Sequence, residues 1–237
     1  MNNEINKPFL EHLDELRNRI IKSFLSIIFF TILGYFLSDK IIELLISPIN
    51  SLHVSFQVLK ITSIFLIKIG IGVAFGIFIS IPFILYQVFK FIIPAFESGY
   101  NLYKLIVSMM FYLLFLFSGL LFGYFILIPI SITFFTSLSI NLPLIELNYT
   151  LENYLIYLIW ILIISSFIFQ LPFIIILLTK FGLIDRKSLK KYRRHIIVLF
   201  FIVAALFTPP DPVSQMLVVI PLYFLFEFSI FITKFIK

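Results

Sequence analysis

The residues of this chain that could do chemistry fall in two settings. The first is the segment Phe9 to Arg19, FLEHLDELRNR, which carries Glu11, Asp14, Glu15, Arg17 and Arg19 directly before a long apolar run. Phe9, Leu13, Leu16 and Ile20 recur at spacings of four, three and four, so they share one helical face with the charges around the rest. That pattern predicts an amphipathic helix lying at a membrane surface, with Pro8 in its first turn. Glu15 and Arg19 are four apart with the acid first, a spacing at which they pair on a solvated face.

The second setting is polar residues flanked by apolar ones: Gln87, Gln170, Gln215 and Glu227. A polar group in hydrocarbon is costly unless it finds a partner. One reading is hydrogen bonding between helices, worth about 0.6 kcal/mol on average. The other is a site that receives a polar group from another transmembrane helix. Gln87 fits the first reading better. Gln170 stands beside Pro172, which frees a backbone carbonyl, and both readings stay open there. Glu227 is ionisable, which makes it a functional candidate by default, unless it sits low enough to reach headgroups. No phosphate loop, G-x-S-x-G or H-E-x-x-H is present, so no enzyme is expected and no cofactor is implied. His12, His53 and His195 lie apart without ligand spacing, and there is no cysteine. No metal is expected.

The elements that must position these residues are membrane spans. The chain is 61% hydrophobic and 13% charged with a mean hydropathy of +1.12, where soluble proteins hold about 25% charged residues. Several apolar runs reach the ~18 residues of a membrane span. The fold class is all-α: a polytopic membrane protein of six transmembrane helices in one membrane domain over residues 1–237. Residues 1–19 form the amphipathic helix, and the spans run about 20–37, 64–93, 105–128, 154–179, 196–207 and 213–232. Ile41 to Ile46 is a candidate short surface helix before Pro48. Gly70, Gly72 and Gly76 allow close contact by the second span. Pro129 ends the third, unless Ser131 to Phe135 prolong it, and Gln170 and Pro172 interrupt the fourth. The fifth has only twelve residues, about 18 Å against a core of about 30 Å. With the sixth it forms a hairpin that thins the bilayer or sits shallowly in it.

Of the 18 lysines and arginines, all but Lys40, Lys60 and Lys68 fall on one side of this arrangement. The positive-inside rule then puts both termini in the cytoplasm. The basic run from Lys180 to Arg194 reads as a topology anchor that also meets lipid headgroups. The net charge of +6 therefore does not imply nucleic acid. The first apolar run follows an acid-rich helix and has no small-residue cleavage site, so a secretory signal peptide is not expected.

Several stretches resemble the TatC family, the multispanning core of the twin-arginine protein translocase. They are FLEHLDELRNR, IPFILYQVFKFIIPAF at Ile81 to Phe96, FSGLLFGYFILIPISITFF at Phe117 to Phe135, FQLPFIIILLTKFGLI at Phe169 to Ile184, KYRRHIIVLFFIVAALFTPPDPVSQ at Lys191 to Gln215, and PLYFLFEFSIF at Pro221 to Phe231. The resemblance implies a receptor for twin-arginine signal peptides of folded precursors, working with small single-span TatA/TatB-type subunits and other copies of itself. Proton-motive force drives such transport, without ATP. A bacterial cytoplasmic membrane is implied, or an organellar one, mitochondrial inner or thylakoid, in an alga or protist.

The family's signal-binding surface maps onto Glu15, Arg17, Arg19, Phe91 and Pro94. A carboxylate suits a guanidinium fork, which agrees with the place of Glu15. Pro48, Asp211 and Gln215 match the extracytoplasmic face, and Gln215 also matches the docking place of a partner helix. Two positions depart from the family. Tyr100 stands where a second signal-binding carboxylate is usual, so either Glu97 supplies the charge or Tyr100 stacks on a guanidinium. Gln170 stands where many members have a glutamate, so no group titrates there.

Two other classes of function compete with the receptor. One is a secondary transporter moving a small solute along Gln170, Gln215 and Glu227, against which stands the lack of internal repeats. The other is a scaffold that organises other membrane helices.

Overall fold

The acid-rich segment and the first apolar run form one helix. The computed structural model describes residues 6–48, 56–96, 102–140, 149–180, 182–207 and 212–235, and in it α1 spans Asn6–Phe36. The sequence predicts a separate surface helix over residues 1–19. The structure instead continues it into the span, because no glycine or proline stands between Pro8 and Gly34 to break it. Its 31 residues measure about 46 Å, longer than a bilayer core of about 30 Å, so one end can stand clear of hydrocarbon.

The chain forms two compact units. The first comprises Met1–Leu44 and Val58–Leu113. Here α1 is followed by α2 (Ser38–Ile46), the expected short helix, and by α3 (Ser63–Phe96), which passes through Pro82 and Pro94. α1 and α3 lie antiparallel along their length, joined near one end by Arg19 and Gln87, while near the other Asp39 at the start of α2 pairs with Lys68 of α3 at 2.7 Å. Between these points the backbones approach closely. A Cβ on Gly72 would sit 3.0 Å from the Tyr35 backbone nitrogen, and one on Gly76 would sit 2.6 Å from that of Thr31. Only a residue without a side chain fits there. Gly70, expected to share this role, faces open space with nothing within 4 Å of its Cβ position.

The second unit comprises Leu45–Gln57 and Leu114–Lys237. α4 (Leu102–Phe122) enters it, and a π-helical turn at Gly123–Leu127 joins it to α5 (Ile128–Ile140). The third span therefore does not end at Pro129. A proline ring presses on the carbonyl four residues back. The π turn widens the helix just before it, with the Ile128 N–H donating to the Gly123 carbonyl five residues back. α6 (Leu151–Ile168) and α7 (Leu171–Lys180) are parted by a turn at Phe169 and Gln170, where Pro172 has no N–H to offer Ile168. The interruption of the fourth span thus lies where Gln170 and Pro172 predict it.

Gly119 and Gly123 carry the helix onto α6. A Cβ on Gly119 would lie 2.7 Å from the Ser165 carbonyl oxygen. Tyr154 at the start of α6 donates to the Leu45 carbonyl at 3.2 Å. A short parallel pairing of β1 (Phe56–Gln57) with β2 (Tyr149–Thr150), which no sequence pattern announced, closes the same end.

α8 (Arg186–Lys191), α9 (Arg193–Phe207) and α10 (Pro212–Ile232) complete the unit. Its core includes Leu158, Ala204, Leu222 and Phe226, all fully buried, with Phe200 edge-on to Phe226 at 6.0 Å. Five segments among the described residues are long and apolar enough to cross a membrane: Leu13–Phe36, Ser63–Phe91, Ile106–Ser137, Leu151–Lys180 and Gln215–Ile232. α9 holds the short fifth span, and its 15 residues measure about 22 Å.

Candidate functional site

The ends of α1 and α3 enclose a cleft of about 570 Å³ lined by Asp14, Glu15, Asn18, Arg19, Lys22, Tyr86, Gln87 and Lys90. Helical spacing explains the membership. Residues 15, 18, 19 and 22 recur at three and four, as do 86, 87 and 90 on the facing helix. Arg19 is the central contact. Its guanidinium pairs with Glu15, through Nε at 3.1 Å and through Nη2. Its Nη1 donates to both the backbone oxygen and Oε1 of Gln87 at 3.4 Å. The Arg19 side chain is only 13% exposed, whereas that of Glu15 is 44% exposed. The carboxylate thus faces solvent while its own partner is held from behind.

The i,i+4 pair that the spacing predicts is therefore formed. Glu15 and Arg19 are an i,i+4 pair, and the pair lines a cleft. Arg17 lies to one side, exposed, with Nη2 3.4 Å from Asp14. Lys90 sits 5.5 Å from the centre of the Tyr86 ring, an arrangement that favours a cation over the aromatic face. Asp14, Asn18, Tyr86 and Gln87 were not singled out by the sequence as site residues. For Gln87 the signal was its polarity inside an apolar run, read there as interhelical hydrogen bonding. That bond exists, and its donor is the arginine of the cleft.

Phe91 follows Lys90 on α3 and is half-buried, and Pro94 lies on the same helix one turn further on. Glu97, Tyr100 and Asp211 lie outside the described residues. Pro48 stands in the tight turn that ends α2.

Gln170, Gln215 and Glu227 all belong to the second unit, and the structure gives them separate tasks. Gln170 is 3% exposed, in the turn between α6 and α7. Gln215 donates to the Phe201 carbonyl at 2.8 Å and ties α10 to α9. Glu227 accepts from Arg193 at 2.7 Å. It is therefore no isolated intramembrane carboxylate: it meets the first residue of α9, which belongs to the basic run. Twelve residues of one helix separate Gln215 from Glu227, about 18 Å, so the three do not form a continuous polar path.

Among the described residues no group of three or more His, Cys, Asp or Glu could hold a metal ion. Outside the spans, the Asp185 carboxyl lies below its ordinary pKa because the Ser188 side chain and backbone N–H bond to it.

The fold and site together define a multi-pass helical membrane protein with a charged cleft at one end of its first long helix pair. Comparison with known proteins carries this further. Residues 11–221 match the family described as Sec-independent protein translocase protein (TatC), and the chain belongs to that family. It is 33% identical over 231 residues to the TatC protein of Carboxydothermus hydrogenoformans, covering 96% of this chain and 93% of that one. It is 35% identical over 237 residues to an uncharacterized TatC-like protein of Reclinomonas americana, covering 98% and 89%. A crystal structure of the twin arginine translocase receptor TatC matches with a TM-score of 0.76 at 30% identity, covering 94% of this chain and 98% of that one.

Proposed function

We propose that this chain is the receptor subunit of a twin-arginine translocase and that the cleft between α1 and α3 receives the arginine pair of a signal peptide. The observation that carries this is the exposed Glu15 carboxylate held by an arginine of its own helix that already has a second partner, Gln87. An i,i+4 ion pair on a helix is worth about 0.3–0.5 kcal/mol, so exchanging Arg19 for an incoming guanidinium costs little. Arg19 keeps Gln87 when Glu15 is taken. The resting pair thus holds the carboxylate in place until a precursor arrives. Arg17 shapes the same face, and Phe91 and Pro94 on α3 contribute to the surface. Glu97 or Tyr100 supplies the second contact to the arginines, with Asp14 already at the cleft.

Single-span TatA/TatB-type subunits dock near Gln215 beside the short α9, with Glu227 on the same helix and the buried Gln170 at the break between α6 and α7. Other copies of the chain assemble with it, and proton-motive force drives the passage of folded precursors. The bacterial relatives favour the bacterial cytoplasmic membrane, with an organellar membrane as the second reading. Membrane lipids bathe the spans and meet the basic run at residues 180–194.

The test is Glu15→Ala, with crosslinking to a twin-arginine precursor and export of that precursor as readouts. Both are expected to fall by at least tenfold. If neither changes, the receptor role of the cleft is refuted. The solute-transporter reading has less support, since Glu227 and Gln215 are engaged within the unit. Liposomes holding this chain alone are expected to show no solute flux.

A further inference from the structure

We propose that Arg193 and Glu227 are positioning residues: their ion pair sets the height at which the short α9 stands against α10, and with it the face that α9 offers to a single-span partner. The second part rests on the docking place at Gln215; the first does not.

A helix of 15 residues in a bilayer core of about 30 Å is under mismatch at its ends. What resists a slide along α10 must be specific to one height. Apolar packing is not. Phe200 and Phe226 meet edge-on between the helices, yet lipid chains are as apolar as such side chains and supply no hydrophobic force toward one register. Two polar contacts join the helices. Gln215 donates to the Phe201 carbonyl at 2.8 Å. A backbone carbonyl marks height poorly, because the helix offers a like one at every turn. The bond of Arg193 Nη2 to Glu227 Oε2 at 2.7 Å is different. No other charged residue stands between Val213 and Ile232, and none stands between Ile196 and Phe207. The pair therefore forms at one height only. Its side chains are 41% and 29% exposed, so it is partly withdrawn from solvent. A slide of one turn, about 5.4 Å, parts the charges or carries one of them toward hydrocarbon.

The pair also says where α9 falls short. Glu227 meets the first residue of α9, and α10 runs on through Phe228–Ile232, about 7.5 Å further. The shortfall therefore lies at the end where α8, with its basic residues, packs against both helices.

The register is tested without any partner. The chain has no cysteine, so Ile202→Cys and Phe231→Cys, both at exposed positions, take two spin labels on the full chain in lipid nanodiscs. A narrow distance distribution is expected. Glu227→Gln is expected to displace or broaden it by about 5 Å, one helical turn. Arg193→Glu with Glu227→Arg is expected to restore it. Arg193→Met with Glu227→Met removes both charges at similar volume, a change that folded proteins tolerate, and is expected to broaden the distribution as well. An unchanged distribution in Glu227→Gln or in the double methionine variant overturns the proposal. So does a broadening that the exchanged pair fails to reverse. For the partner, a photoreactive phenylalanine analogue at Ile202 is used in vesicles holding a single-span TatA/TatB-type subunit. Crosslinks are expected at one height on the subunit, lost or spread over a turn in Glu227→Gln, and regained in the exchanged pair, while precursor crosslinking at the cleft stays unchanged. Crosslinks unmoved in Glu227→Gln, or absent from the start, overturn the role in docking and leave the register to the spin labels.

Discussion

Arg19 shows how one side chain joins a local and a long-range contact. Its bond to Glu15 follows from spacing alone, because residues four apart on a helix are neighbours. Its bond to Gln87 crosses 68 positions of sequence and exists only because α3 packs on α1. Asp185 is a purely local case. It caps α8 by accepting from the Ser188 N–H at 3.1 Å, a cap that satisfies one donor of the first turn. Because these bonds favour its ionised form, its pKa falls below the ordinary carboxylate value. A depressed carboxylate contributes stability above its unfolded pKa, and that stability is lost as pH falls through the folded value. The α8 cap is thus intact at neutral pH and released in acid. An NMR titration of Asp185 is expected to give a midpoint below the ordinary value, and Ser188→Ala to raise it. A midpoint unmoved by that substitution would show that the Ser188 hydroxyl is not a cause.

At the scale of elements, small residues decide which helices meet. The G-x-x-x-G spacing of Gly72 and Gly76 brings α3 against α1, and that of Gly119 and Gly123 brings α4 and the π turn against α6. The sequence offered three glycines for the first seam without saying which of them face it. Gly70 and Gly72 are two apart, about 200° around a helix, so they cannot share a face. Gly76→Ala places a methyl group against the Thr31 backbone and is expected to cost about 1–3 kcal/mol through overpacking. Gly70→Ala has room and is expected to leave stability equal or slightly raised, since alanine favours the helix. Thermal unfolding of the detergent-solubilised variants separates the two. Equal melting temperatures would count against the seam. The π turn before Pro129 belongs to the same scale. The proline signalled an ending, but a widened turn satisfied its geometry and the helix went on to Ile140.

At the scale of the whole molecule, charge distribution orients the chain. By the positive-inside rule the basic run around α8 marks a cytoplasmic connection. On the other side, Lys68 is neutralised by Asp39. The chain has no cysteine, so single cysteines can report topology directly. Cysteine at Lys187 is expected to react with a membrane-impermeant maleimide only in inverted vesicles, and cysteine at Lys60 only in right-side-out cells. The reverse pattern would invert the arrangement and move the cleft to the wrong face for a signal peptide.

The membrane class, the apolar segments, the break at Gln170 and Pro172, and the short α9 are legible in the amino-acid order alone, because these depend on composition and on residues close in the chain. Its family motifs also point to Glu15, Arg17, Arg19, Phe91 and Pro94 as candidate site residues. Tertiary structure decided what those residues touch. It backed Arg19 with Gln87, set Asp14, Tyr86 and Lys90 around the same cleft, and matched Glu227 to Arg193. Such pairings join segments far apart in sequence. No periodicity encodes them, since they depend on which faces of two helices meet and on how closely their glycines let them approach.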